Sequence, residues 1–111
     1  MTPHLNRKLI LERAELVPDD AGGFIETWQA LGSLWAEVRP GTGRERARHT
    51  LPRSSVALRI MVRAAPFGAP SRPEPGQRFR EGSRIYKIEA VTEKDVRGQY
   101  LLCHALEEVA T

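Results

Sequence analysis

Four arginines, Arg44, Arg46, Arg48 and Arg53, fall within the segment Pro40 to Arg53 and face one acid there, Glu45. His49 lies among them, and Gly41 and Gly43 open the segment. Its local charge is +3, which equals the formal net charge of the whole 111-residue chain. A guanidinium is always charged and presents a planar fork of donors that matches phosphate oxygens. Contacts to phosphate carry no base information. The segment contains no aromatic residue, so it offers no platform for base stacking. The chemistry it suggests is phosphate attraction without regard to sequence. A long connection inside a compact domain is usually functional or disordered, and a solvated surface loop with no target is the plain alternative.

Other candidate chemistry is thin. Gly41-Thr42-Gly43 starts like a phosphate-binding loop, but position 46, where a dinucleotide fingerprint needs its third glycine, is Arg46. No lysine followed by Ser or Thr completes a P-loop. The histidines are His4, His49 and His104, and the one cysteine is Cys103. Neighbouring residues on a strand point to opposite faces, so Cys103 and His104 are not expected to share a metal. Asp19-Asp20 is explained more simply by a turn than by a metal site. No G-x-S-x-G elbow is present. These residues give no enzyme signature, and no catalytic residue, metal or cofactor is expected. Trp28, Trp35 and Tyr86 fit either a base-stacking platform or a β core and subunit interface.

The elements that must position the basic segment read as strands. Leu9 to Leu16 is taken as the first, stopped by Val17-Pro18. Asp19-Asp20-Ala21-Gly22-Gly23 is a turn cluster. Phe24 to Leu31 has the aromatic and β-branched content of a strand, Gly32-Ser33 breaks the pattern, and Leu34, Ala36 and Val38 then share one strand face. After the basic segment, Val56, Leu58, Ile60 and Val62 alternate with Ala57, Arg59 and Met61, as in a half-buried antiparallel strand. Residues 64–77 hold Pro66, Pro70, Pro73 and Pro75, a density that excludes regular helix or central strand. Arg78-Phe79-Arg80 suggests a short edge strand. Arg84 to Thr92 reads as a strand with Tyr86, Ile88 and Ala90 inward. Gln99 to Glu107 is apolar on both faces and belongs in a central position or against a neighbouring subunit. The expected fold is all-β, a small antiparallel barrel or sandwich with one long basic loop and a second, proline-rich loop, in a single domain over residues 1–111.

Composition sets the outer bounds. Hydrophobic residues make up 41% and charged residues 28%, as in a globular domain rather than a disordered tail. One cysteine allows no intramolecular disulfide. No run approaches the roughly 20 apolar residues of a membrane helix, and the N-terminus lacks the apolar stretch of a signal peptide. The expected setting is the cytoplasm or a particle assembled there.

The order of several short stretches resembles a known family. Gly-Gly-Phe-Ile-Glu-Thr-Trp at 22–28 is followed by Leu-Trp-Ala-Glu-Val at 34–38 and Gly-Arg-Glu at 43–45. Ile-Met-Val-Arg at 60–63, Gly-Ser-Arg-Ile-Tyr-Lys-Ile-Glu-Ala-Val at 82–91 and Leu-Leu-Cys-His-Ala-Leu-Glu at 101–107 complete the pattern. Over nearly its whole length the chain resembles the head-tail joining proteins of long-tailed bacteriophages, the head-completion or stopper family, which also occurs in phage-derived gene transfer agents. The resemblance implies a β-barrel subunit of a homo-oligomeric ring of six or twelve copies. A portal or adaptor protein lies above that ring and a tail terminator or tail tube protein below. It implies a place at the head-tail junction of a virion or phage-like particle, and no membrane partner. It also implies that Gly41, Gly43, Arg44 and Glu45 start a loop facing the DNA channel. Arg46, Arg48, His49 and Arg53 would continue that loop in non-specific contact with packaged double-stranded DNA. The proline-rich segment 64–77 is longer than the family pattern suggests. The alternatives are a tail-terminator or adaptor component of the same particle, adaptors being mainly helical, or a free non-specific nucleic-acid-binding barrel.

Overall fold

Antiparallel pairing organises the whole chain. The computed structural model describes residues 2–41 and 55–108. Its strands are β1 (Arg7–Pro18), β2 (Phe24–Pro40), β3 (Ser55–Arg63), β4 (Arg78–Glu81), β5 (Arg84–Glu93) and β6 (Tyr100–Glu108). There is no helix among the described residues. The strands follow the order β1-β2-β3-β6-β5-β4 and close into a barrel, so the expected all-β barrel is the fold observed.

Period-two alternation fills the interior. Leu9 and Leu11 enter from β1, Leu58, Ile60 and Val62 from β3, Phe79 from β4, Tyr86 and Ile88 from β5, and Leu101, Cys103 and Ala105 from β6. The outer face of β3 is also covered, since Ala57 and Met61 are buried. β6 pairs with β3 along one side and β5 along the other, so it is flanked on both edges, and its Leu101, Leu102, Cys103 and Ala105 are buried. Cys103 faces the core while His104 lies opposite Arg59 and Ala90 on the outer side.

Three expectations are corrected. Gly32-Ser33 does not end a strand, because β2 runs unbroken through it. The register shifts there instead, with Leu11 opposite Gly32 and Glu12 opposite Ala30. Leu31 is thus the extra residue of a β-bulge. Gly32 takes a φ of 143°, which side-chain-bearing residues rarely adopt, and its Cα faces open space. The bulge lets β2 pass from barrel wall into a two-stranded ribbon. Secondly, Arg78–Arg80 is not at an edge: β4 pairs with β1 on one side and β5 on the other. Thirdly, a register shift between Ile88 and Ala90 puts Ala90 opposite His104 and Val91 opposite Cys103. Val91, not Ala90, therefore packs on the core.

The barrel closes through its shortest ladder, the pairs Ile10–Arg80, Leu11–Phe79 and Glu12–Arg78. The Glu12 carboxylate accepts hydrogen bonds from Arg78 Nε at 2.7 Å and Arg80 Nε at 2.9 Å across this seam. Trp28 covers Arg78, its ring centre 4.0 Å from the guanidinium carbon, and Glu12 is buried beneath them. Burial alone pushes the Glu12 carboxyl up, but the hydrogen bonds from Arg80 and Arg78 outweigh it and hold it below its ordinary value. Removing one partner of a buried pair leaves the other charge uncompensated. Glu12→Ala is expected to cost about 3 kcal/mol and Phe79→Ala about 3–5 kcal/mol in urea unfolding. Equal midpoints for Glu12→Ala and wild type would show that the seam closes without its clamp.

Candidate nucleic-acid interface

The basic segment leaves the barrel where β2 ends and β3 begins. Pro40 pairs with Leu58 and Arg39 with Arg59, and the Gly41 N–H donates to the Ala57 carbonyl at 2.8 Å. Both roots of the segment are thereby fixed to the same ladder. Of the sequence-predicted loop residues, Gly41 is described and half-buried. Gly43, Arg44, Glu45, Arg46, Arg48, His49 and Arg53 lie outside the described residues.

A polar network that sequence reasoning missed occupies the same end of the barrel. Arg7 pairs with Glu81 through both Nε and Nη2. The Tyr86 hydroxyl, on a fully buried ring, donates to Glu81 Oε1 at 2.8 Å and accepts from Arg7 Nη2 at 3.1 Å. Arg84 holds Glu107 with two hydrogen bonds, Nε to Oε2 at 2.7 Å and Nη2 to Oε1 at 2.9 Å. Arg7 holds the Glu81 carboxyl below its ordinary range, with a smaller contribution from the Tyr86 hydroxyl. Burial, and then the neighbouring Glu81 carboxylate, push the Tyr86 hydroxyl up to about 12. No local pattern announces these partners, because Arg7 and Glu81 are 74 residues apart. The network stiffens the base from which the loop springs.

The opposite end has a different character. β1 and β2 extend as a ribbon beyond their pairing with β4 and β3, which uses only Ile10–Glu12 and Ala36–Pro40. At ~3.3 Å per residue, the 17 residues of β2 account for the 52 Å long axis. The ribbon ends in the Asp19 turn, where Asp19 Oδ1 accepts the N–H groups of Ala21 at 2.8 Å and Gly23 at 2.9 Å. Those bonds hold the Asp19 carboxyl below its ordinary value. They make the aspartate a turn residue, as its sequence context suggests.

The aromatic residues form no common platform. Tyr86 is inside the barrel, Trp28 stacks on Arg78, and Trp35 is exposed on β2. Burial pushes the Cys103 thiol up to about 12, so it is a core residue rather than a nucleophile. Among the described residues, no group of three or more His, Cys, Asp or Glu side chains is placed to hold a metal ion.

A family model described as "Phage head completion protein" matches residues 1–109. The chain belongs to that family. Among solved structures, a chain from "Virion of native gene transfer agent (GTA) particle" is 55% identical, with a TM-score of 0.81, over 99% of this chain and 100% of that one. The solution structure of protein SF1141 from Shigella flexneri 2a has a TM-score of 0.64 at 19% identity, over 92% and 91% of the two chains, and shares the fold. No curated protein matches the chain. The family resemblance read from the sequence is thus correct.

The network at the loop roots carries a pH signature. Glu81 has a depressed carboxyl in the folded protein, so its contribution is present above the ordinary carboxylate range and is lost as pH falls through the lowered folded value. Thermal melts from pH 7 to pH 3 are expected to show falling stability at the acidic end. Glu81→Gln should start lower at pH 7 and fall less steeply. An unchanged slope in the variant would remove Glu81 from the acid response.

Proposed function

We propose that the protein is a structural connector subunit, a stopper, that forms a ring at the head-tail junction of a phage or gene transfer agent particle. In this reading the ring sits below the portal and adaptor, lines or closes the DNA channel, and presents a platform to the tail. The observation that carries it is the 55% identity to a chain of a gene transfer agent virion over essentially the full length of both. The barrel supplies what such a part needs. It holds a +3 segment at one end of a stiff wall, with both roots in the β2–β3 ladder.

Copy number turns a weak contact into an effective one. Each arginine–phosphate attraction is small and screened by salt. A ring surrounds one duplex with the same segment many times, and linked weak contacts act together. Contact to phosphate rather than base suits a channel that must pass any sequence. An all-strand fold, with no helix among the described residues, weighs against the mainly helical adaptor.

Replacing Arg44, Arg46, Arg48 and Arg53 with Ser tests this role. Nuclease-protected DNA per assembled particle is expected to fall about tenfold, with barrel stability within about 0.5 kcal/mol of wild type. Full DNA retention in correctly assembled variant particles would count against a channel role for the segment.

A further inference from the structure

The ribbon tip and the outer barrel wall are complementary surfaces. Residues 14–27 carry Glu15, Asp19, Asp20 and Glu26 and no Lys, Arg or His, a charge of −4. The same tip exposes Leu16 (66%), Phe24 (67%) and Ile25 (55%). A free-standing two-stranded ribbon is marginal in water, and an apolar tip on its unpaired edges invites a covering surface.

Such a surface exists on the barrel's outer side. Between β2, β3, β6 and the β5–β6 turn lies a concavity of about 570 Å³. Arg39, Arg59, Lys94 and Arg97 line it, against two carboxylates, Glu37 and Asp95, for a net charge of +2. Both carboxylates are engaged within the subunit. Glu37 forms an ion pair with Arg39, Nε to Oε1 at 2.8 Å, and its Oε2 accepts from the His4 N–H at 2.7 Å. Asp95 accepts the N–H groups of Gln99 at 2.8 Å and Tyr100 at 3.2 Å. The lining also includes Met61, Tyr100 and Leu102, and Val96 stands fully exposed in the adjoining turn.

We infer that the acidic, apolar ribbon tip of one copy docks into this basic concavity on the next copy. The inference rests on the ring assembly proposed above and names the contact that builds it. The two surfaces differ, so the contact is head-to-tail, the kind that generates a closed ring when the rotation between copies closes. Opposite charge sets orientation and rejects tip-to-tip pairing, and the apolar residues on both sides supply the burial. Nucleic acid is the less suitable occupant, since the concavity holds two carboxylates and the apolar side chains Met61 and Leu102 beside its arginines.

Cysteine bridging in assembled particles tests the contact directly. Ala21→Cys and Val96→Cys in one full-length chain, treated with a short bismaleimide, should give a ladder of multimers on a denaturing gel. Buried Cys103 serves as the internal control. Multimers trapped by a general amine cross-linker, without the cysteine ladder, would overturn this docking and leave the ring intact. No multimers with either reagent would remove the ring and the docking together. Charge exchange is the second arm. Glu15→Lys with Glu26→Lys, or Lys94→Glu with Arg97→Glu, should each lower the yield of tailed particles about tenfold, and the four changes combined should restore it to within about twofold. No recovery in a combined variant that melts like wild type would overturn the proposal.

Discussion

The Glu12 carboxylate lies between two guanidinium groups, Arg78 at 2.7 Å and Arg80 at 2.9 Å, on the outside of a seam only three residue pairs long. Every other junction in the barrel has a longer ladder. Without that seam, β1 and β4 would be the two edges of an open sheet, and Phe79 would lose its enclosure. Closure also fixes where β1 and β2 leave the wall, because β4 reaches no further than Glu12 along β1. Trp28, at the base of the ribbon, stacks on the same Arg78. One buried carboxylate therefore ties barrel closure to the direction of the ribbon.

From that closure follows a bipolar subunit. One end bears the roots of the +3 segment, braced by Arg7, Glu81, Tyr86, Arg84 and Glu107. The other ends in a tip of charge −4 with exposed apolar side chains. The length of β2 separates the acidic tip from the roots of the basic segment. An assembly of such subunits can present its cations to a polyanion while its acids meet the basic wall of a neighbour. In the proposed ring, folding, DNA contact and assembly would use different parts of one barrel, with little competition between them.

Much of the wall is legible in the sequence. Leu58, Ile60 and Val62 alternate so regularly that their inward face is unambiguous, and Tyr86 and Ile88 follow the same rule. The two bulges were not legible. Gly32 looks like a strand break because glycine usually weakens a strand, yet here it absorbs an extra residue within one. Ala90 looks inward by simple alternation, and a slip of one residue after Ile88 gives that position to Val91. Period-two reasoning fails at each bulge because an inserted residue reverses the faces of everything beyond it.

The sequence by itself determined the strand content, the +3 segment between two apolar runs, the turn held by Asp19, and the family. These depend on local periodicity, on charge and on the order of short motifs, all of which lie along the chain. Only the tertiary structure decided the closed barrel, the Glu12 clamp, the Arg7–Glu81–Tyr86 network and the basic concavity on the outer wall. Each joins residues far apart in sequence, Glu12 and Arg78 by 66 positions. Such partners meet only when strand order and register are set, and those follow from how the whole sheet buries its apolar face.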